Sequence, residues 1–388
     1  MRARVTGRSF SALFGALLAL SVASHWRAVS HLQAAEQDRD GTGTHATRVL
    51  GLPQVPYHYD NLVELPIHFR QGDAQRFDNT PADNPLTDAG ATLGRVLFYD
   101  TRFSKNDTTS CGSCHVQASA FADPKPGSRG FGGGTTDRHA MNLVGLRYHP
   151  RARFFWDERG GNLESMVLLP AANQLEMGQD LTRLPEILGR DSRYHELFRS
   201  AFGDPEITND RISRALAQFL RALVSYRSKY DDGRAEVASS KEDFANFTAQ
   251  ENRGKALFLR NCALCHLPDQ DAHFIMTEPV NTGLDEDTIA TDGGVGDISL
   301  SPREVGFFKS PSLRNVEVTG PHMHDGRFTT LEAVLDHYSS GGRKHPNKDI
   351  RVQPLNLTAS EKAALIAFLK TLTDPHFLSD PRFSDPFR

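Results

Sequence analysis

The sequence predicts a mainly α-helical chain built as two similar halves with long connecting loops, and three observations carry that prediction. Apolar residues recur at helical spacing behind recognisable caps. Alternating strand patterns are weak. One short cysteine motif occurs once in each half, behind closely similar residues. The 388 residues, 38% of them hydrophobic, suffice for two or three domains with substantial cores.

Taken in order, Arg2, Arg4 and Arg8 precede an apolar run from Phe10 to Ala23, so residues 1–23 read as an export signal. That run is short for a membrane span and is interrupted by Ser and Gly; no other segment could cross a bilayer. Residues 24–49, polar and with Gln, Asp, Gly and Thr clustered, read as a linker. Residues 50–235 then form a first domain, with the stretch from Leu50 to Asn84 expected to wrap the body, and residues 236–388 a second. The boundary falls in the charged, small-residue stretch from Asp231 to Phe244.

Ahead of it, Ile212, Leu216, Phe219, Leu220, Leu223 and Val224 mark one face of a helix. Beyond it, Thr248 with Glu251 forms a capping box that opens a helix running into Cys262. Thr358 with Glu361 opens another, carrying Leu365, Phe368, Leu369 and Leu372 on one face. Gly, Pro, Asp and Ser accumulate from Pro124 to Thr136 and from Asn281 to Ser310, which predicts long turn-rich loops. A net charge of -4 gives no ground for nucleic acid or an anionic membrane surface as a partner.

All four cysteines lie in two motifs, Cys111-Gly-Ser-Cys114-His115 and Cys262-Ala-Leu-Cys265-His266. Gly94-Arg-Val-Leu-Phe98 precedes the first and Gly254-Lys-Ala-Leu-Phe258 the second, which indicates an internal duplication. In C-x-x-C-H, two thiols add to the vinyl groups of haem, and the tethers bring the next residue's imidazole beneath the iron. Two disulfides or a zinc ribbon are the competing uses of four cysteines in an exported chain, but neither requires a histidine directly after each pair. The expectation is therefore two covalently bound haem c groups, with His115 and His266 as iron ligands.

Further stretches are informative together: Leu93-Gly-Arg-Val-Leu-Phe98, Phe155-Trp-Asp-Glu158, Leu163-Glu164 through Pro170 to Glu176-Met177-Gly178, Pro311-Ser-Leu-Arg-Asn315, and Thr319-Gly-Pro-His-Met-His-Asp-Gly326. In their order and spacing the chain resembles the bacterial di-haem cytochrome c peroxidases and their relative MauG, from about Leu86 to Leu372. The resemblance implies two cytochrome c-like haem domains, with His115 on the peroxide-reacting haem and His266 on the haem that relays electrons. It implies that Glu176 is the distal acid, that Trp156 lies between the haems, that Pro170 lines the peroxide pocket and that His324 belongs to the cofactor-binding His-Asp-Gly motif. It also leaves open a calcium ion held partly by the backbone carbonyls of Thr319 and Pro321, and a homodimer.

The chain departs from the family pattern at several positions. Phe131 stands where the peroxidases have a loop histidine that closes the peroxide-reacting iron. Phenylalanine cannot bind iron, so this haem is expected to be open at rest; His139 lies nearby in sequence as a substitute ligand. Tyr338, fourteen residues after His324, stands where the peroxidases have methionine and MauG has tyrosine. A phenol oxygen favours higher iron oxidation states than a thioether does; Met323 and His337 are the rival ligands. Met166, ten residues before Glu176, replaces a glutamine. His139 also replaces an asparagine of the calcium site, where calcium prefers oxygen donors.

The function implied is a periplasmic peroxidase that reduces hydrogen peroxide to water with electrons from a small redox protein, a cytochrome c or a cupredoxin. One alternative is a MauG-like oxidase that uses peroxide to modify residues of a partner protein. The other is a di-haem electron carrier without peroxide chemistry, against which Glu176 argues because a carrier needs no distal acid.

Overall fold

The computed structural model describes residues 48–60, 64–70, 76–266, 278–286 and 292–387. The expected export signal and nearly all of the expected linker lie outside the described residues.

Among the described residues, seven longer helices organise the chain: α1 (Asp88–Tyr99), α2 (Ser192–Phe202), α3 (Asn209–Ala222), α4 (Lys229–Ala235), α5 (Ala249–Asn261), α6 (Leu331–Ser340) and α7 (Ala359–Lys370). Among the described residues there is no strand, only isolated bridges between loops. Each helix starts on a Thr, Ser or Asp whose side chain accepts a backbone N–H of the first turn. The capping boxes of Thr248 with Glu251 and Thr358 with Glu361 form as their spacing predicts. Leu223, Val224 and Leu372 lie just past the ends of α3 and α7. Leu223 and Leu372 each bond three residues back, at 3.2 Å, and this tighter closing turn keeps both side chains in the core.

The duplication is visible in how the helices cross. At Gly94 of α1, an added Cβ would lie 2.0 Å from the carbonyl oxygen of Ala215 on α3; at Gly254 of α5, it would lie 1.9 Å from that of Ala364 on α7. Neither helix pair could approach so closely with a side chain at the crossing. One turn later, Phe98 packs on Phe219 at 5.3 Å and Phe258 on Phe368 at 5.0 Å between ring centroids. The same two phenylalanines then meet His115 and His266, each at 6.5 Å. The repeated order Gly, then Leu-Phe, then C-x-x-C-H thus places each histidine against the crossing of its own helix pair.

Two hydrophobic cores result, one around α1, α2 and α3 and one around α4 to α7. The tail after α7 returns to the first core: Phe377 and Phe383 are buried there, Tyr99 donates its hydroxyl to the Phe383 carbonyl at 2.8 Å, and Leu50 pairs with Phe387. Leu65 and Phe69 pack with Tyr148, Val224 and Tyr226. Beside them His68 Nε2 lies 3.0 Å from Asp231, which also accepts two hydrogen bonds from Arg314 at 2.8 and 2.9 Å. This buried cluster ties the N-terminal stretch and α4 to a loop of the second half. No helix of the described residues is long and apolar enough to cross a membrane.

Candidate functional site

Cys111–Cys114 form one helical turn whose start is held by the Ser110 N–H donating to the Ser113 hydroxyl at 3.0 Å. His115 closes the turn, its N–H on the Cys111 carbonyl at 2.9 Å. The His115 ring places Nδ1 2.7 Å from the Phe121 carbonyl. A carbonyl can only accept, so Nδ1 carries the proton and Nε2 keeps its lone pair for a metal. Burial favours the same neutral ring by lowering its pKa. None of the four cysteines forms a disulfide. Among the described residues there is no group of three or more His, Cys, Asp or Glu placed to hold a metal ion.

Cys111, Cys114 and His115 line a cavity of about 1100 Å³, large enough for a bulky cofactor. Met166, Pro170 and Glu176 line it too. Glu176 sits at the end of a turn organised by Asn173, whose amide donates to Glu176 Oε1 at 2.9 Å. Burial raises the Glu176 carboxyl above the usual range, and Arg159 pulls it part of the way back. Phe131 approaches from the neighbouring loop by its backbone, its N–H bonding the Glu176 carbonyl at 2.9 Å. Its ring rests on Gly178, where a Cβ would come within 2.4 Å of it, and it is not among the residues lining the cavity.

A second cavity, about 240 Å³, is lined by Cys262, Cys265, His266, Met323 and Tyr338. The His266 N–H bonds the Cys262 carbonyl at 2.9 Å, repeating the first motif's turn. Burial pushes the Tyr338 phenol well above its usual pKa, and the thiols of Cys265 and Cys262 add to the shift. His337 does not line this cavity; its Nε2 is 3.1 Å from the Thr282 carbonyl.

Trp156, His139 and His324 line both cavities and form part of the wall between them. The indole N–H of Trp156 donates to the His139 carbonyl at 2.8 Å, and the His139 N–H donates to the His324 carbonyl at 2.7 Å. His324 stacks on Phe308 at 3.7 Å. Arg138 fastens this wall from the side, bonding Asp157 at 2.5 Å and both oxygens of Asp292 at 2.7 Å. The His139 ring is committed elsewhere, with Nε2 2.7 Å from the Asp123 carbonyl.

Thr319, Pro321, His322 and His139 all line the second cavity. Burial, with His139 adding to it, pushes the His322 imidazole down to about 4.

Asn173, the Phe121 carbonyl and the Arg138 bridge escaped the sequence reading. Asn173 had a local signal, an amide three residues before Glu176 in a non-helical turn. The other two depend on loops meeting in space and had none.

Residues 88–238 match the family model described as di-haem cytochrome c peroxidase, and residues 251–373 match the cytochrome c model. A methylamine utilization protein MauG of Methylorubrum extorquens is 35% identical over 302 residues, 75% of this chain and 80% of the relative. A cytochrome c551 peroxidase of Nitrosomonas europaea is 30% identical over 291 residues, 73% of this chain and 79% of the relative. The crystal structure of a MauG-like protein associated with microbial copper homeostasis shares 36% identity at a TM-score of 0.71, covering 79% of this chain and 95% of that one. With a cysteine-histidine pair on each of two cavities and relatives of both kinds matched over most of their length, the chain belongs to the di-haem cytochrome c peroxidase and MauG family of haem-dependent oxidoreductases.

Proposed function

We propose that this chain is a periplasmic di-haem peroxidase that reduces hydrogen peroxide to water with electrons from a small redox protein. The observation that carries the reading is the Glu176 carboxyl on the cavity that also holds Cys111, Cys114 and His115. In this reading Cys111 with Cys114 and Cys262 with Cys265 hold two haems by thioether bonds, and His115 and His266 face the irons. Bound there, the haems supply an iron that binds peroxide and a second redox centre that passes electrons to it.

The chain's own residues supply the proton chemistry. Asn173 holds Glu176 Oε1, which leaves the other carboxylate oxygen to take a proton from one peroxide oxygen and return it to the other, so that water departs. A carboxyl raised by burial suits this exchange because it both gains and releases a proton closer to neutral pH. The Phe121 carbonyl keeps His115 oriented, and the apolar side chains of Met166 and Pro170 limit water beside the reacting oxygens. Trp156 fills the wall between the cavities, where its indole offers an electron path. Tyr338, on the same cavity as Cys262, Cys265 and His266, would in this reading hold the second haem through its phenol oxygen.

A second reading is favoured by Tyr338 on the second cavity and by the MauG relative: a peroxide-dependent oxidase that modifies residues of a partner protein. One experiment separates the two. Oxidised holoprotein receives one equivalent of peroxide while absorbance and paramagnetic resonance are followed, and reduced cytochrome c is then offered. Rapid oxidation of the cytochrome supports the peroxidase. A perturbed haem spectrum that cytochrome c does not discharge supports the oxidase, and an unperturbed one returns the chain to a simple carrier.

A further inference from the structure

The carbonyl that holds His115 belongs to a strained turn, and the second half of the chain supplies part of what holds that turn. Residues 116–122 double back after the first motif: the Phe121 N–H bonds the Val116 carbonyl at 2.9 Å and the Val116 N–H bonds the Ala122 carbonyl at 3.1 Å. At the tip, Ala120 and Phe121 have φ of 51° and 61°, a left-handed conformation that residues with a Cβ adopt only at a cost. Two such residues in succession persist where the surroundings over-determine them. Both are fully buried, and their backbone aims the Phe121 carbonyl at His115 Nδ1, 2.7 Å away.

The grip comes from two sides. Phe98 of α1 packs on the Phe121 ring at 5.8 Å between centroids, and Phe377 packs on it, also at 5.8 Å. Phe377 follows α7, so it belongs to the tail that returns from the second half. Gln117, in the same turn as Phe121, donates its amide to the Asp380 carbonyl at 2.9 Å and to the Phe377 carbonyl at 3.3 Å. The tail is itself fixed just past α3. Buried Asp374 accepts the Tyr226 and Arg227 N–H groups at 3.0 and 2.9 Å through one oxygen, and the Phe377 N–H at 3.1 Å through the other.

We propose that Phe377 and Gln117 are positioning residues for His115: they clamp the turn that carries the Phe121 carbonyl, so that a tail supplied by the second half sets the reduction potential of the haem in the first. This rests on the di-haem reading. An imidazole N–H bonded to a carbonyl makes the opposite ring nitrogen a stronger donor to a metal, and stronger donation favours ferric iron. Loosening the turn weakens that bond, and the potential of the first haem then rises.

The test uses holoenzyme carrying Q117L or F377A, with attached porphyrin counted by mass spectrometry and both haem potentials measured by spectroelectrochemical titration. Leucine keeps the bulk of Gln117 without its amide, and alanine removes the ring that packs on Phe121. The conservative F377L refills most of that space. Phe198, an equally buried ring of the same core that packs on Tyr194 and Phe202, serves as the control for lost stability alone. The expected result is two attached porphyrins throughout, a raised potential of the first haem alone in Q117L and F377A, a return toward the wild-type value in F377L, and wild-type potentials in F198A. Should F377A accumulate poorly, Q117L decides the matter. An unchanged first-haem potential in Q117L or in F377A overturns the proposal. So does an equal rise in F198A, which makes the effect one of stability, and so does an equal rise of both haems. Wild-type protein with no porphyrin on Cys111 and Cys114 overturns instead the di-haem reading beneath it.

Discussion

The indole N–H of Trp156 donates to the carbonyl of His139 at 2.8 Å, and both residues face both cavities. The Lys309 N–H in turn reaches the Trp156 carbonyl at 2.8 Å, so a residue of the first half is pinned by the second. Replacing Trp156 with Phe keeps most of the bulk but leaves the His139 carbonyl without its donor. Stability is expected to fall by about 1–3 kcal/mol in denaturant titration. Electron exchange between the haems is expected to slow, which freeze-quench paramagnetic resonance after one equivalent of peroxide reads directly.

Glu176→Gln preserves shape and removes the exchangeable carboxyl. Peroxide turnover is expected to fall by about 10²–10⁴-fold, with porphyrin content unchanged, in stopped-flow assays. In the wild type, burial raises the Glu176 pKa, so the basic form needed to accept the first proton is lost as pH falls through that raised value. The acid limb of kcat/KM is therefore expected above the ordinary carboxylate range, and Asn173→Ala, which frees Oε1, is expected to move it.

Gly94→Ala and Gly254→Ala drive a methyl group toward backbone carbonyls at 2.0 and 1.9 Å. Neither carbonyl belongs to a flexible side chain, so the helix pair must separate. Each change is expected to cost about 1–3 kcal/mol or more. The first should broaden the visible bands of the haem proposed at His115 and the second those of the haem proposed at His266, a pattern that magnetic circular dichroism resolves.

Asp231 is buried beneath Arg314 and His68. Burial alone would raise its carboxyl, but Arg314 and His68 hold it well below the usual carboxylate range. Because the folded pKa is depressed, the stabilisation is present above the unfolded value of about 3.9 and is lost as pH falls from there toward the folded value. Asp231→Asn removes the buried carboxylate that accepts both Arg314 hydrogen bonds and is expected to cost about 3–5 kcal/mol at neutral pH. Acid unfolding followed by far-ultraviolet dichroism should show a shallower dependence below about pH 4 in the variant.

Much of this molecule is legible locally. The capping threonines, the helix faces and the two C-x-x-C-H turns depend on residues within a few positions of one another, so spacing alone reveals them. The paired Gly and Leu-Phe segments likewise announced a duplication before any helix crossing was known. Rotation about a helix explains why neighbouring candidates part company: Tyr338 lines the second cavity, while His337 points to the Thr282 carbonyl.

What the sequence determined by itself was therefore a helical chain with two Cys-x-x-Cys-His turns, because such motifs and helix capping act over short stretches of chain. Only the tertiary structure decided that Trp156 and His139 share a wall, that Arg138 joins Asp157 to Asp292, and that Phe377 and Phe383 return to the first core. Those relationships arise when apolar faces far apart in the chain are buried together. The partners they bring into contact are set by the shapes of whole elements, which no local spacing encodes.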